Sequence, residues 1–309
     1  MWRGDLAFVR ERMPGIRAVL DAARRFVRPN GLFECPPGWN FVDWVPGHGW
    51  DKGIPPGGVG NFGVKGSVNW QAVIAFQAGA ELEKLFGESA LSDRNNEAAQ
   101  HIIAAAKRAF WDDSRGLLSE DFERHYFSEH AQCLAVIADA LDGEKRQRVM
   151  KEVFTAARNV LAPCTVYFTH YLFEACRLTG NIAALIDRLQ PWFGLSELGL
   201  KTVLESPEPS RSDCHAWGAH PVFHLYATIL GIRPTRPGME VIHIEPQLGP
   251  LGWAHGQIPH PSGGKLTVQV RKLQSGRLEG VICVPTGATA FIKANGSTTL
   301  MSAGENHFS

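Results

Sequence analysis

The stretch PVFHLYATILGIRPTRPGMEVIHIEP, residues 221–246, contains the point at which the chain changes its secondary-structure pattern. Its first ten residues are mostly apolar and begin with a proline, which is favoured in the first turn of a helix. Gly231 and Pro234 interrupt that helix, and the last six residues alternate apolar with polar side chains as a strand does. We therefore predict a helical domain over residues 1–233 and a β domain over residues 234–309.

Downstream of this point the alternation continues. Turn-forming residues separate three more segments in which apolar and polar residues alternate. These are KLTVQVRK at 265–272, RLEGVICVP at 277–285 and ATAFIKANG at 288–296. The pair Asn295 and Gly296 favours the tight turn of a hairpin. The pattern predicts a small antiparallel β domain.

Upstream of residue 221, apolar residues recur at helical spacing, which predicts a series of helices joined by loops. We expect these helices over residues 5–28, 67–86, 93–111, 128–141, 145–160, 165–179 and 182–192. Between the first two lies a long irregular stretch, and loops of that length in compact domains are usually functional. Successive helix pairs of this kind suggest a ring or an array of helical hairpins.

The composition restricts the partners that the chain can bind. Among 309 residues, Lys plus Arg and Asp plus Glu both number 31, so the formal net charge is zero. A nucleic acid or an anionic membrane is therefore a poor partner. Six cysteines without CxxC pairs suit free thiols in a reducing compartment. Because no signal-peptide pattern or run of about 18 apolar residues occurs, we predict a cytoplasmic protein if Met1 is its true start.

The first candidate site lies in the irregular stretch, at CPPGWNFVDWVPGHGW, residues 35–50. Trp39 and Trp44 flank the carboxylate of Asp43 there. Aromatic rings cover the apolar C–H faces of a sugar, and carboxylates hold its hydroxyl groups. The alternative is that the tryptophans only pin the loop to the core. For the cluster as a whole, the composition favours a sugar site.

A second candidate lies at LKTVLESPEPSRSDCHAWGAHPVFH, residues 200–224. Glu205 ends a short apolar run, and His215 follows it closely. A carboxylate held at the rim of a pocket can activate water as a general base. The alternative for Glu205 alone is an ion pair with Lys201 or Arg211 on the surface.

A third candidate is Glu129, in the first turn of a predicted helix whose N-cap is Ser128. Polar residues at successive helix starts could face one end of a helical ring, where loops form a pocket. The alternative is that the helix start is polar only because it is capped.

A metal site is the competing interpretation of the second candidate. His220 and His224 are spaced i, i+4, and His215 is nearby. The glutamate of an HExxH motif is absent, however, and Pro221 places His220 at a helix boundary. We therefore predict no metal and no cofactor.

Motifs along nearly the whole chain match one known family. They are FVDW (41–44), FSEHAQC (127–133), TVYFTHYLFEA (165–175), LKTVLE (200–205), RSDCHAWGAHPVFHLYATILGIRP (211–234), PGMEVIHIEPQLGPL (237–251) and HPSGGKLTVQV (260–270). Together they resemble the bacterial α-L-rhamnosidases of glycoside hydrolase family 78. The resemblance implies a mainly α chain with a small all-β domain, namely an (α/α)6 toroid followed by an antiparallel β-sandwich.

For function, the resemblance implies hydrolysis of terminal α-L-rhamnosides with inversion at the anomeric carbon. Glu205 matches the family's general base, and Asp43 with Trp44 matches a pair that helps to hold the sugar. His215 matches the histidine after the base, and Trp217 takes a position that is usually aromatic. With two side chains added from the residue patterns, the predicted substrate site comprises Trp39, Asp43, Trp44, Glu129, His215 and Trp217. A rhamnose-containing oligosaccharide or glycoside is the predicted ligand.

The chain departs from the family at the general acid. In the family this acid is a glutamate in an Asp-Glu-Arg-x-x-Trp type motif upstream of a Gly-Asp helix, and here Gly4 and Asp5 already begin that helix. About eight predicted helices also leave a twelve-helix toroid incomplete at its N-terminus. We therefore expect a fragment that lacks the acid. If the acid lies within the chain, Asp43 and Glu129 are its candidates.

Two consequences follow from an incomplete toroid. The alternative function is a non-catalytic carbohydrate-binding protein that keeps the sugar rim without the acid. A partial ring also leaves helices with an uncovered apolar face, which favours a homo-oligomer.

Overall fold

The computed structural model describes residues 1–155, 160–206 and 209–309, which form two compact units. The first unit contains Met1–Glu11, Gly180–Gly194 and Ala219–Ser309, and the second contains Arg12–Thr179 with Leu195–Gly218. The chain thus leaves and re-enters each unit. A domain boundary near residue 234 stays a prediction.

Helices form at the places that apolar spacing predicts. They are α1 Leu6–Arg24, α2 Gly66–Leu85, α3 Ser89–Phe110, α4 Glu129–Ile137, α5 Gly143–Thr155, α6 Thr169–Thr179, α7 Ile182–Arg188, α8 Gln190–Phe193 and α9 Pro221–His224. A π-helical turn, Leu225–Ile229, continues α9. The predicted end of the helix over 145–160 lies mostly outside the described residues. Within the described ranges, no helix is long and apolar enough to cross a membrane.

Several predicted helix boundaries are wrong. Helix α3 begins at Ser89 and not at residue 93, and the helix predicted over 182–192 is divided into α7 and α8. Three other boundaries differ for a local reason. Helix α1 ends before residue 28 because the Arg28 N–H turns back to the Leu32 carbonyl at 2.8 Å. Helix α4 ends before residue 141 because Asp139 adopts a φ of 53°, a left-handed conformation that stops a helix. Helix α6 begins after residue 165 because the Thr165 N–H donates to the Asp43 carboxylate.

In the described part of the chain, the β segments of the first unit form two four-stranded sheets. After a small hairpin in the second unit, β1 Trp111–Asp112 and β2 Leu117–Leu118, the strands are β3 Ile232–Pro234, β4 Val241–Ile244, β5 Trp253–Pro259, β6 Lys265–Lys272, β7 Leu278–Val284, β8 Thr289–Ala294, β9 Ser297–Met301 and β10 Gly304–Phe308. One sheet has the order β10-β7-β6-β5 and the other β3-β4-β8-β9.

The prediction of a wholly antiparallel β domain is wrong at one pairing. Strands β4 and β8 run parallel, with Val241 opposite Thr289 and Ile244 opposite Ile292. Parallel neighbours need a long connection, and here β5, β6 and β7 provide it by forming the other sheet. Apolar alternation indicates which residues are buried but not the direction of the partner strand. A sandwich of the two sheets, like the toroid, stays a prediction.

Buried Glu120 joins the starts of α2 and α4 in the second unit. Its carboxylate accepts hydrogen bonds from the Ser67 backbone N–H at 2.8 Å and from Ser128 Oγ at 2.5 Å. Ser128 Oγ in turn accepts the Ala131 N–H at 3.0 Å, which confirms the predicted N-cap. Burial raises the pKa of Glu120 above its ordinary value. This network fixes the first turn of α4, which carries Glu129.

Candidate active site

Asp43 is a fully buried carboxylate in the second unit. Its Oδ2 accepts the Thr165 backbone N–H at 2.8 Å and lies 2.8 Å from Nε2 of His130. Its Oδ1 accepts the Thr165 hydroxyl at 2.5 Å and the Trp44 N–H at 2.9 Å. These contacts, all among described residues, tie the loop of Trp44 to α4 and to the segment before α6. Because the carboxylate already has protein donors, its contact with a sugar hydroxyl stays a prediction.

His130, in the first turn of α4 beside Glu129, is a member of this network that the predicted site did not include. Its ring is fully buried, with centroids 4.7 Å from Trp50 and 4.4 Å from Phe168. Nε2 faces the Asp43 carboxylate, while Nδ1 is buried without a hydrogen-bond partner among the described residues. A ring packed against two aromatic neighbours helps to keep the carboxylate in one position.

Glu129 is buried at the start of α4. Its Oε2 accepts the Cys164 N–H at 2.8 Å, and its own N–H donates to the Ala162 carbonyl at 2.9 Å. The side chain therefore anchors the segment that leads to Thr165. Its predicted role as a sugar ligand or as an acid stays a prediction.

Glu205 lies on a segment that is held by its backbone. Its N–H donates to the Ser212 carbonyl at 2.9 Å, and its carbonyl accepts the Trp217 indole N–H at 2.8 Å. The side chain is only 2% exposed, and Arg211 grips both carboxylate oxygens, with Nε 3.0 Å from Oε2 and Nη2 against Oε1. The ion pair weighed as the alternative for this residue is therefore present, within a buried rather than a solvated setting.

The charge around Glu205 favours its ionised form. The hydrogen bonds from Arg211 hold the pKa of Glu205 below its ordinary value, although burial opposes them. His215 acts in the same direction as Arg211, with Nδ1 3.9 Å from Oε2. An ionised carboxylate is the form that a general base needs.

Five aromatic side chains form a continuous surface beside Glu205, which we call the aromatic wall: Trp39, Phe41, Trp44, Tyr167 and Trp217. The ring centroids of Trp44 lie 5.8 Å from Trp39 and 4.9 Å from Phe41. Phe41 is parallel to Trp217 within 1° at 6.2 Å, and Tyr167 stacks on Trp217 at 5.0 Å. The wall brings together the predicted tryptophans of two distant segments. Flat apolar rings beside a carboxylate suit a sugar.

Trp44 links the aromatic wall to the charged pair. The Arg211 guanidinium lies 5.2 Å from the ring centroid of Trp44, within range of a cation–π contact. The Trp44 indole N–H is buried and has no hydrogen-bond partner of normal geometry among the described residues, yet it also lowers the pKa of Glu205. The attraction between this N–H and the Glu205 carboxylate helps to keep the carboxylate ionised.

Comparisons with known proteins identify the fold around this wall. No protein-family model matches the chain, and no curated protein matches it significantly. Solved structures do match. The GH78 family rhamnosidase of Bacillus sp. GL1 aligns with 94% of the chain, with a TM-score of 0.80 and 21% sequence identity. The chain has the fold of a glycoside hydrolase family 78 rhamnosidase. The family resemblance of the motifs is thereby confirmed.

Other structures share this family 78 fold. The α-L-rhamnosidase from Aspergillus terreus aligns with 99% of the chain at a TM-score of 0.79 and 16% identity. The rhamnosidase from Klebsiella oxytoca, solved with rhamnose bound, aligns with 72% of it at a TM-score of 0.60 and 21% identity. The chain spans 31% of the Bacillus structure, 37% of the Aspergillus structure and 42% of the Klebsiella structure.

An open groove of about 680 Å³ adjoins the wall in this rhamnosidase-like unit, and Trp39, Trp44, Lys65 and Tyr126 are among its lining residues. The Lys65 ammonium donates to the Pro55 carbonyl at 2.9 Å, and burial lowers its pKa. Tyr126 directly precedes the FSEHAQC motif, whereas Lys65 stands in no motif that marks a site, so no sequence signal could have found Lys65.

Two of the histidines weighed as metal ligands, His220 and His224, lie in the first unit and contact each other. His224 is buried, with Nδ1 3.1 Å from Thr228 Oγ1, and its ring lies edge-on to that of His220 at 5.8 Å. The absence of a metal or cofactor stays a prediction.

Proposed function

We propose that the chain belongs to a glycoside hydrolase that releases terminal α-L-rhamnose by inversion, with Glu205 as the general base. The observation that carries the proposal is the buried, ionised Glu205 carboxylate beside the aromatic wall. The fold supports it, since the Klebsiella oxytoca rhamnosidase and the Streptomyces avermitilis α-L-rhamnosidase were both solved with rhamnose. The ligand that we propose is accordingly a rhamnose-containing oligosaccharide or glycoside.

In the proposed reaction, Glu205 takes a proton from water while the water oxygen bonds to the anomeric carbon. The bond from that carbon to the glycosidic oxygen breaks, and an acid protonates the leaving oxygen. Trp44 and Trp217 cover the apolar face of the sugar, and His215 donates to a hydroxyl group. Arg211 is 71% exposed and can swing away from Glu205 when water and substrate arrive.

The proposal does not yet assign a residue as the general acid. An inverting pair of carboxyl groups stands roughly 6.5–9.5 Å apart. Asp43 and Glu129 are both buried and both accept backbone N–H hydrogen bonds. We therefore propose that neither supplies the proton, and that the acid comes from another residue, in this chain or in a longer protein that contains it.

The competing proposal is a carbohydrate-binding protein without hydrolytic activity. One observation favours it, because the bidentate contact with Arg211 occupies both oxygens of Glu205. Side chains around such a carboxylate can still bind the hydroxyl groups of a sugar. The carboxylate itself, however, is a weaker base than a carboxylate without an ion pair.

Two measurements on the purified chain separate these proposals: calorimetric binding of L-rhamnose and turnover of 4-nitrophenyl α-L-rhamnoside. Binding with turnover that Glu205→Gln abolishes, and that exposed Glu197→Gln leaves intact, supports the hydrolase. A first product with β configuration, seen by NMR, supports inversion. Binding without turnover favours the carbohydrate-binding protein, and turnover that survives Glu205→Gln rules out this base.

We also propose a cytoplasmic location and self-association. All six cysteines lie in the described part of the chain and carry free thiols, which supports a reducing compartment. An open apolar groove of about 540 Å³ between α1 and α2 supports self-association, with Ile16, Val19 and Ala78 among its lining residues.

A further inference from the structure

The outer face of the sheet β10-β7-β6-β5 carries an unusual row of side chains. Trp253 pairs with Arg271 across β5 and β6, and Arg271 pairs with Glu279 across β6 and β7. Cross-strand partners point to the same face of a sheet. Trp253 is 70% exposed, and Arg271 forms an ion pair with Glu279. A large aromatic ring and a charged pair therefore stand side by side on this face.

A second row runs beside the first. His255, Gln269, Val281 and His307 occupy equivalent positions on the four strands. An open groove of about 880 Å³ covers parts of both rows, and Trp253, Gln269, Arg271, Glu279 and His307 are among its lining residues.

Burial does not explain this face, and cross-strand pairing explains only the contact between Arg271 and Glu279. The residues that alternate with it on β6 and β7, namely Val268, Val270 and Ile282, are fully or almost fully buried and form the core of the unit. A solvent-facing position needs only a small polar side chain, and an isolated exposed tryptophan would require no explanation. A tryptophan beside planar polar groups, all lining one groove, matches the composition of a ligand site.

We propose that this sheet face, which we call the β-face site, binds a neutral glycan chain. The exposed ring of Trp253 packs against the C–H face of a sugar. Arg271 supplies N–H donors and Glu279 supplies acceptor oxygens, so the pair can bridge two adjacent hydroxyl groups, and Gln269 offers both kinds of atom. The ligand is neutral because Arg271 and Glu279 compensate each other's charge, while Lys272, which also lines the groove, donates to the Gly249 carbonyl. The β-face site is a second carbohydrate site, independent of the one beside Glu205.

Affinity electrophoresis of the full chain tests the proposal. Native gels would contain a soluble galactan, arabinan, xyloglucan or rhamnan, with polygalacturonate as the charged counterpart. We expect at least one neutral polysaccharide to retard the chain. Trp253→Ala should weaken binding about tenfold or more, as loss of a central aromatic anchor does. Phe193→Ala removes another exposed aromatic ring of the same unit and should leave binding unchanged.

The outcomes are distinct. Retardation lost in Trp253→Ala and in Arg271→Ala supports the β-face site, whether or not the chain hydrolyses 4-nitrophenyl α-L-rhamnoside. Absence of retardation by every neutral polysaccharide overturns it, as does retardation that both variants retain. Retardation by polygalacturonate alone overturns the neutral ligand. If sedimentation shows that Trp253→Ala only dissociates a dimer, the face is a protein interface and the proposal is wrong.

Discussion

Replacing Asp43 by asparagine tests how far one buried carboxylate organises the candidate site. The carboxamide keeps one acceptor oxygen but places an NH2 group against donors such as the Thr165 N–H. A buried donor that loses its acceptor costs about 1–3 kcal/mol. We expect Asp43→Asn to lower the free energy of unfolding by about 2 kcal/mol in urea titrations. Exposed Asp51→Asn in the same loop is the control and should change stability little.

The Asp43→Asn variant also tests whether Asp43 binds the sugar. If Asp43 is a sugar ligand as well as an anchor, the variant should also lose affinity for L-rhamnose beyond what the unfolded fraction explains. Equal stability of the Asp43→Asn and wild-type proteins would mean that its hydrogen-bond network contributes nothing measurable.

The pair of Glu205 and Arg211 gives a prediction about pH. Because Arg211 lowers the pKa of Glu205 in the folded chain, the ion pair stabilises the fold above the ordinary glutamate pKa. That stabilisation is lost as pH falls through the lowered value. In Arg211→Ala, the carboxyl carbon NMR titration of Glu205 should move to higher pH. Lys201→Ala, which removes the other cation considered as a partner, should leave it in place.

An unchanged titration in Arg211→Ala would show that the ion pair is not formed in solution. The proposed base would then titrate as an ordinary glutamate, and any rate dependence on Arg211 would need another explanation.

At the scale of elements, Glu120 couples the starts of α2 and α4, and its raised pKa predicts a pH-dependent stability. The folded chain binds more protons than the unfolded chain between the ordinary glutamate pKa and the raised one, so stability should fall as pH rises through that window. Glutamine can accept the Ser67 N–H and keeps no charge. We expect the difference in unfolding free energy between Glu120→Gln and wild type to grow with pH in this window.

Glu120→Ala is the matching variant, because it removes both the charge and the hydrogen bonds that connect α2 with α4. It leaves the Ser67 N–H without its acceptor and should be less stable than Glu120→Gln by about 1–3 kcal/mol at all pH values. A difference between Glu120→Gln and wild type that does not vary with pH would contradict the raised pKa.

The elements also show where sequence reasoning succeeds and where it stops. Helix α2 lies within one residue of its predicted bounds because the pattern that predicts it is local, with Gly87 soon after its end. The start of α6 was misplaced because Thr165 bonds to Asp43, which is 122 residues away. The parallel pairing of β4 and β8 was missed for the same reason, since both features depend on contacts distant in sequence.

The residues of the candidate site also include some that the sequence predicts and some that it does not. Trp39 and Trp44 could be chosen from local composition and Trp217 from the family resemblance, and the structure places the three in one aromatic wall. Phe41 looked like an ordinary apolar loop residue, yet its ring connects the two segments of the wall. His130 was hidden because a histidine in an apolar helix start gives no signal of its partner.

At the scale of the whole molecule, the balanced charge and the groove between α1 and α2 together predict self-association. The sequence pI is about 7.2, so little net repulsion opposes contact between copies near neutral pH.

Val19 is 68% exposed in the groove, and Val19→Glu would place a charge on its apolar surface. We expect the wild-type chain to form dimers in sedimentation at micromolar concentrations and Val19→Glu to remain monomeric. Val59→Glu, at a more exposed position outside the groove, should behave like wild type. A wild-type chain that stays monomeric throughout would mean that the groove needs no partner copy, whereas dimers that persist in Val19→Glu would assign the contact to another surface.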